Sequence, residues 1–391
     1  EKGAVGLIVE RLPQCAFNIP LIIVKDTVKA LCEIASSYRK KFSIPLIAIT
    51  GSNGKTTTKE MLAHLLSLRY RVLKNPGTQN NQIGLSLTLL KMDANYDFVV
   101  VELGSNHFGE IEYLSHIAHP NIGIVLNVGP AHLEFFHNLR GVYKEKISLI
   151  KNLSFPSIGI LNNDDRFLRN VLERKRKEFL IGFGIRYKSD FHAYNLKAKK
   201  RGIDFLIDKE PFHLNTLGFF NVYNALAAIT TCRLFGFQYR DLSGGLKSFE
   251  FPNQRLKIRK IKGITFIDDT YNSNPNSLME ALKVIKRLKT GGRKIAVLGD
   301  MLELGRRAQQ FHNQITKYVL RLCDIMIGVG DFFGRIDQII SKNSKRGRII
   351  LSCSKVEEAK EILFKVVKPK KDDIVLVKGS RLMHMEEIIK E

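Results

Sequence analysis

A chain of 391 residues with this pattern predicts an α/β protein: two domains built on parallel sheets, preceded by the remnant of a third α/β domain. Three observations carry that expectation. Short apolar, β-branched runs alternate with helical patterns almost throughout, which is how parallel strands joined by crossover helices read. The runs are near-continuously apolar, as strands covered on both faces must be. Several end on polar residues at their carboxyl ends, where open α/β sheets place ligands. The length exceeds one ordinary core, and 44% apolar residues can fill two or three.

Taken in order, residues 1–43 open with EKGAVGLIVE, which reads like the middle of a helix-to-strand unit. They are the expected remnant of an N-terminal domain whose earlier part precedes this sequence. A central domain is expected over residues 44–252, with strands at IPLIAIT (44–50), DFVVVEL (97–103), IGIVLNV (122–128) and IGIL (158–161). A C-terminal Rossmann-like domain is expected over residues 253–391, after FPNQR, from GITFIDD, KIAVLGD, IMIGVGD, GRIILS and DDIVLVKGS. No internal repeat or low-complexity segment interrupts them.

The 62 Lys+Arg against 38 Asp+Glu give a net charge of +24. Such an excess suits nucleic acid, anionic lipid, or the steering of acidic small substrates into a cleft. Short scattered groups such as Arg39-Lys40-Lys41, Arg174-Lys175-Arg176-Lys177 and residues 368–371 lack the interleaved aromatics of a nucleic-acid reader, which favours the last. No apolar run approaches the roughly 18 residues of a membrane span, and no signal peptide is visible. Cys15, Cys32, Cys232, Cys323 and Cys353 are far apart, odd in number and without a C-x-x-C pair, so neither a disulfide framework nor a zinc site is indicated. A reducing cytoplasm fits best.

The first chemical signal is ITGSNGKTTTKEML at residues 49–62. The common phosphate loop G-x-x-x-x-G-K-[ST] would need glycine at Ile49; here Gly51 and Gly54 are separated only by Ser52 and Asn53. The context is still right, because a strand ends at Thr50 while Met61, Leu62, Leu65 and Leu66 have helical spacing. Glycines let backbone N–H groups approach phosphate oxygens, the helix N-terminus adds positive potential, Lys55 meets the outer phosphates, and a Thr56 hydroxyl can ligate magnesium. This makes the central domain P-loop-type. Glu102 ends VVVEL where a metal-binding carboxylate would face the loop, although a lone glutamate there is more often a cap. His132 follows the third strand, and Lys146 stands fourteen residues later. An ammonium cannot bind a cation, so Lys146 is either a surface lysine or one neutralised or converted to an anion, for example by carbon dioxide.

TGSNGKTTTKEML, VVVELGSNHFGEI, NVGPAHLEFF, NVYNALAA, IDDTYNSNPNSLMEAL, AVLGDMLELG and VLVKGSRLMHMEEII, in that order, resemble the Mur ligases of peptidoglycan synthesis, which use this shorter loop. The resemblance spans the chain. It implies an ADP-forming ATPase domain that joins a carboxylate to an amine through an acyl phosphate. Folylpolyglutamate synthases share the loop but continue G-K-G-S, and the D-N-P-R motif of the diamino-acid-adding branch is absent. DDTYNSNP and LGDMLELG resemble the branch that adds D-alanyl-D-alanine to UDP-N-acetylmuramoyl-tripeptide.

Carried over by resemblance, Gly51, Ser52, Asn53, Gly54, Lys55, Thr56 and Thr57 hold ATP's phosphates, and Lys55, His132 and Lys146 serve catalysis. Thr56 and Glu102 would bind a first Mg2+, with His132 and Lys146, the latter as a carbamate, serving a second. Asn221 and Asn224 are similar to the adenine-contacting segment, although NVYNALAA alone reads as an asparagine-capped helix start. Arg255 and Asp269 resemble residues that reach ATP from the C-terminal domain. Asn80 and Asn81, with Asn272, Asn274, Lys378, Ser380 and Arg381, are the substrate-binding and closing-face candidates. Phe220, Thr78, Ser86 and Gln254 depart from the family pattern without removing a phosphate or metal ligand. The expectation is a cytoplasmic monomer with no nucleic-acid partner. Ligation of a different amine, or a basic P-loop protein that binds nucleic acid, are the alternatives.

Overall fold

The computed structural model describes residues 3–12, 19–174, 179–199, 202–335 and 348–390; Cys15 and residues 175–177 lie outside them. The first elements are a parallel pair, β1 (Leu7–Val9) and β2 (Leu21–Ile23), followed by α1 (Thr27–Arg39). Asp26 starts that helix by accepting from the Lys29 N–H, which satisfies one of the donors a helix leaves open at its N-terminus.

The central sheet begins with β3 (Leu46–Thr50), α2 (Lys55–Leu66), β4 (Val72–Lys74), α3 (Gln82–Leu89), β5 (Phe98–Glu102), α4 (Glu110–Ala118) and β6 (Ile122–Val125). It continues through α5 (Leu133–Phe136), α6 (Leu139–Lys151), β7 (Ile158–Asn162), α7 (Arg166–Arg174) and β8 (Leu180–Gly184). β9 (Phe191–Lys199), β10 (Gly202–Ile207) and β11 (Glu210–Leu214) complete it, before α8 (Phe220–Leu234) and α9 (Tyr239–Ser248). The nine strands run in the order β11-β10-β9-β8-β7-β6-β3-β5-β4, parallel from β4 to β9 and antiparallel beyond.

β3 shows why its run is unbroken. Ile47 and Ile49 join one apolar cluster with α2 and α8, whereas Leu46 and Ala48 join another with α1, α3 and α6. Side chains alternate across a strand, so a strand covered on both faces has no polar position. The chain leaves β3 towards β5 on one side and later crosses to β6 on the other. The carboxyl end of β3 is thus a switch point, and the glycine loop lies there.

Among the described residues the second sheet has six strands, in the order β12-β13-β17-β14-β15-β16. They are β12 (Lys257–Ile261), β13 (Ile264–Asp268), β14 (Lys294–Gly299), β15 (Ile325–Val329), β16 (Ile349–Cys353) and β17 (Ile374–Lys378); only the β12–β13 pair is antiparallel. Helix α10 (Pro275–Arg287) follows β13. It starts with a reciprocal capping box of Asn274 and Ser277 and has Pro275 in its first turn, where a missing N–H costs nothing. All nine strands expected from sequence are present. The short strands β2, β4, β8 and β12 and the antiparallel extension β9–β11 were not expected.

Candidate active site

The two sheets point the carboxyl ends of their central strands at one cavity of about 920 Å³, lined by residues of both domains. Of the residues proposed from sequence, all but Gly51, Lys146, Ser380 and Arg381 line it.

At the glycine loop, Gly54 has φ 90°, and a Cβ there would lie 2.3 Å from the Asn224 carboxamide oxygen, so glycine is required twice over. The Ser52 N–H donates to the Asn127 carbonyl (3.1 Å), and the Asn53 N–H donates to Asn127 Oδ1 (2.9 Å). Asn127 Nδ2 returns a bond to the Asn53 carbonyl (3.0 Å). Those two loop donors are engaged within the protein. What remains for an anion is the first turn of α2, whose N–H groups have no partner inside the helix. Lys55 Nζ donates to the Gly51 carbonyl at 2.9 Å. Burial holds its pKa below the ordinary amine value; Glu102 opposes this and Arg255 adds to it. Across the cleft, Arg255 lies 4.1 Å from the Tyr271 ring centre and donates to Thr56 Oγ1 at 2.8 Å.

Glu102 is completely buried at the end of β5. Its Oε1 accepts from Asn80 Nδ2 (2.6 Å), while Oε2 has no partner among the described residues. An unpartnered buried carboxylate oxygen is costly unless a donor or cation meets it. The backbone at Glu102 is fixed from behind through a residue not anticipated, the fully buried Lys59. Its Nζ donates to the Asn75 and Gly77 carbonyls, both at 2.6 Å, and Asn75 Oδ1 accepts the Glu102 N–H at 3.0 Å. Lys59 sits one helical turn after Lys55, and that spacing was its only sequence signal.

Lys146 is buried under the cavity floor and reaches it through Ser105, a lining residue, donating to Ser105 Oγ at 2.6 Å. Burial, then the charge of Lys55, bring its pKa down to about 7, against the pull of Glu145 and Glu110. The neighbouring Glu145 accepts from the Gly109 and Ile111 N–H groups (2.8 and 2.7 Å), fixing the start of α4 and so the Ser105 loop.

His132 comes from the central domain, and its Nδ1–H donates to Glu303 Oε2 of the C-terminal domain at 2.5 Å. This hydrogen bond is the main reason the Glu303 carboxyl lies below its usual range. Both residues have left-handed backbone (φ 53° and 59°), an uncommon conformation for side chains of this size. Glu303 stands inside the quoted LGDMLELG, but its partner was not legible from position.

The asparagines fall into two kinds. Asn221 and Asn224 form a buried chain in which Thr58 donates to Asn224, Asn224 to Asn221, and Asn221 to Thr216 (3.2, 2.8 and 3.0 Å). Asn81 caps α3 through the Gly84 N–H. Asn274 caps α10 and also donates to Asn53 Oδ1 across the cleft at 2.8 Å. On the C-terminal wall Lys378 pairs with Asp269 at 2.6 Å and donates to the Asn272 carbonyl at 2.8 Å, while Asp269 Oδ1 accepts the Leu256 N–H. Burial raises the Asp269 carboxyl and Lys378 opposes that. Ser380 lies behind this wall, its Oγ accepting the Leu302 N–H, and Arg381 pairs outward with Glu386.

No three His, Cys, Asp or Glu side chains gather into a metal group among the described residues. Magnesium does not need one, since it keeps waters and takes one or two protein oxygens beside substrate phosphates. The unpartnered Glu102 Oε2 and the Thr56 hydroxyl at a helix N-terminus fit that demand. Among the described residues no helix is long and apolar enough to cross a membrane.

Comparison with known proteins follows this geometry. Residues 49–232 match the Mur ligase middle domain, and residues 254–381 match the glutamate ligase domain of Mur ligases. The UDP-N-acetylmuramoyl-tripeptide--D-alanyl-D-alanine ligase of Bacillus subtilis is 32% identical over the whole of this chain and 85% of its own length. The Haemophilus influenzae ligase of the same name is 33% identical, over 99% of this chain and 85% of its own. The crystal structure of MurF from Acinetobacter baumannii superposes with a TM-score of 0.87 at 30% identity, covering 98% of this chain and 83% of that one. MurF ligase from Thermotoga maritima, solved in complex with ADP, gives 0.83 at 29% identity, covering 99% and 88%.

Proposed function

This chain belongs to the Mur ligase family, and from that premise we infer that it is the ADP-forming ligase that adds D-alanyl-D-alanine to UDP-N-acetylmuramoyl-tripeptide in peptidoglycan precursor synthesis. The observation that carries the reading is a single cavity bounded by a phosphate loop on one domain and the NSNP turn on the other.

The chemistry asks two anions to meet: the peptide carboxylate attacks the γ-phosphate of ATP, ADP departs, and the amine of the dipeptide then displaces phosphate from the acyl phosphate. Little covalent work falls to the protein, so positioning and charge neutralisation dominate. The first-turn N–H groups of α2 and the Lys55 ammonium hold the phosphates. Arg255, already on the Thr56 hydroxyl, brings a second positive charge from the other domain. Closure of the two walls keeps water from the acyl phosphate and holds the amine against it.

Thr56 and Glu102 would hold one magnesium ion. His132, whose lone pair is left on Nε2 by the Nδ1–H bond to Glu303, and Lys146 would hold a second. Bound there, the ions would neutralise phosphate oxygens. Lys146 can join such a set only as an anion. A pKa brought down to about 7 leaves neutral amine available at physiological pH, and neutral amine plus carbon dioxide gives carbamate and a proton. We read the enzyme as a cytoplasmic monomer, since both walls of the cavity belong to one chain.

The test is ADP release by the purified full-length protein with magnesium. Release should require both the UDP-linked tripeptide and D-alanyl-D-alanine. No release with both present, or equal release with an unrelated amine, would overturn the reading.

A further inference from the structure

The loop residue Asn53 is gripped from both domains. Its backbone is fixed by Asn127 in the central domain, through the 2.9 Å and 3.0 Å bonds described above. Its side chain faces the other way: Asn274 Nδ2 donates to Asn53 Oδ1 at 2.8 Å, and the returning Asn53 Nδ2 to Asn274 Oδ1 contact is 3.4 Å. Asn274 is itself held by the capping box of α10, with the Ser277 N–H donating to its Oδ1 at 2.9 Å. The amide pair therefore joins a rigid helix start in one domain to the phosphate loop of the other, with no flexible side chain between.

We propose that Asn53 and Asn274 are positioning residues that register the C-terminal domain on the phosphate loop, so that phosphoryl transfer, rather than nucleotide binding, depends on their contact. Two features support the division. The Asn53 N–H, the backbone donor it could have offered to phosphate, and its carbonyl are both engaged by Asn127, so loop shape is set within the central domain alone. The side chain has its contact across the cleft, where Arg255 reaches Thr56 three residues further along the loop. A shift of the wall that carries Asn274 would carry Arg255 with it, and small misplacements of reacting groups lower rates steeply. Asn127 and Asn53 thus have separable roles in the same loop.

The proposal rests on the ligase reading for its kinetic arm only. In the full-length enzyme Asn53→Ala leaves both the capping box and the Asn127 backbone bonds in place. It should lower kcat about 10-fold, the scale of one lost positioning contact, while ADP affinity by calorimetry moves less than about 3-fold. Asn127→Ala should do the reverse, weakening ADP binding about 10-fold. Asn274→Ala also removes a helix cap, so a cycle with the double variant separates the two effects: once Asn53 is alanine, Asn274→Ala should cost kcat little more. Small-angle scattering with ADP and magnesium should show Asn53→Ala more extended than wild type. Asn53→Ala turnover within 2-fold of wild type, or losses that multiply in the double variant, would overturn the proposal. Wild type that releases no ADP would sink the ligase reading instead, and the scattering comparison would still decide for or against the contact.

Discussion

Lys378 and Lys146 are both buried, one in the C-terminal wall of the cavity and one beneath its floor in the central domain, yet their surroundings are opposite. Lys378 has a carboxylate at 2.6 Å and a carbonyl at 2.8 Å, and Asp269 on the other side of the pair is itself tied to the Leu256 N–H. Lys146 has the Ser105 hydroxyl at 2.6 Å and carbonyl at 3.4 Å, a distant aromatic ring and the repulsion of Lys55, with the Glu145 and Glu110 carboxylates acting on it without an ion pair among the described residues. A buried charge with a complete partner set is part of the scaffold; one without it is held in a state that chemistry can use. Lys59 sides with Lys378, since two carbonyls and Glu60 satisfy it. Glu102 sides with Lys146, since one of its oxygens has nothing to meet. Around the cavity, the buried groups left short of partners, Lys146 and Glu102, thus lie on the central domain, while the C-terminal wall holds its buried lysine in a completed pair and reaches across through Arg255.

The comparison can be broken first at Lys55, which feels Glu102 but makes no ion pair among the described residues. Lys55→Ala should reduce ADP release by at least about 10³-fold, because one phosphate-facing charge is removed from a water-poor site. Thermal unfolding should stay close to wild type, as among the described residues the Nζ bonds only to the Gly51 carbonyl. Lys378→Met should show the opposite pattern. Removing one partner of a buried pair strands Asp269 and destabilises folding by about 3–5 kcal/mol, read by denaturant unfolding. If Lys378→Met left stability unchanged while removing activity, the scaffold assignment of that wall would be wrong.

The strands at 44–50 and 374–378 were legible because double burial leaves no polar interruption. The antiparallel extension was not: β10 alternates buried with partly exposed positions and β9 is exposed along most of its length, so neither gives a continuous run. β4 is only three residues long. At the site, the phosphate loop and Glu102 could be read because their positions follow from a strand end. Asn127, Ser105 and Glu303 act across 74, 41 and 171 residues of sequence, and no local spacing announces such contacts. Ser380 and Arg381 are sequence candidates that do not line the cavity. They follow Lys378 in a polar turn that invites a binding role, yet the turn points them behind the wall and outward.

Lys146 also predicts a pH dependence. Its amine moves from 10.5 unfolded to about 7 folded. Between those values the unfolded chain binds the proton and the folded chain does not, so stability rises with pH across roughly 7 to 10.5. Below that window both states are protonated and the cost of the buried ammonium is fully present. In carbon-dioxide-free buffer, wild type should gain up to about 5 kcal/mol relative to Lys146→Met over this range. Parallel pH profiles for the two proteins would show that the amine is not deprotonated by folding.

The smallest effect sharpens the same contrast. If Lys146 acts as a carbamate, its working atoms are a carboxylate at the end of a long stem, and Lys146→Ala leaves a slot shaped for them beside Ser105. A short carboxylate such as acetate or propionate, supplied in solution, should restore activity to Lys146→Ala by about 10-fold, about 1.4 kcal/mol of transition-state stabilisation, and should do so saturably. Chloride at equal ionic strength should not, which separates filling of the slot from screening of Lys55. The same acids should leave Lys378→Met inactive or unstable, because the position it vacates calls for a cation. Equal rescue of both variants, or none of Lys146→Ala, would mean that the two buried lysines differ in their neighbours but not in their chemistry.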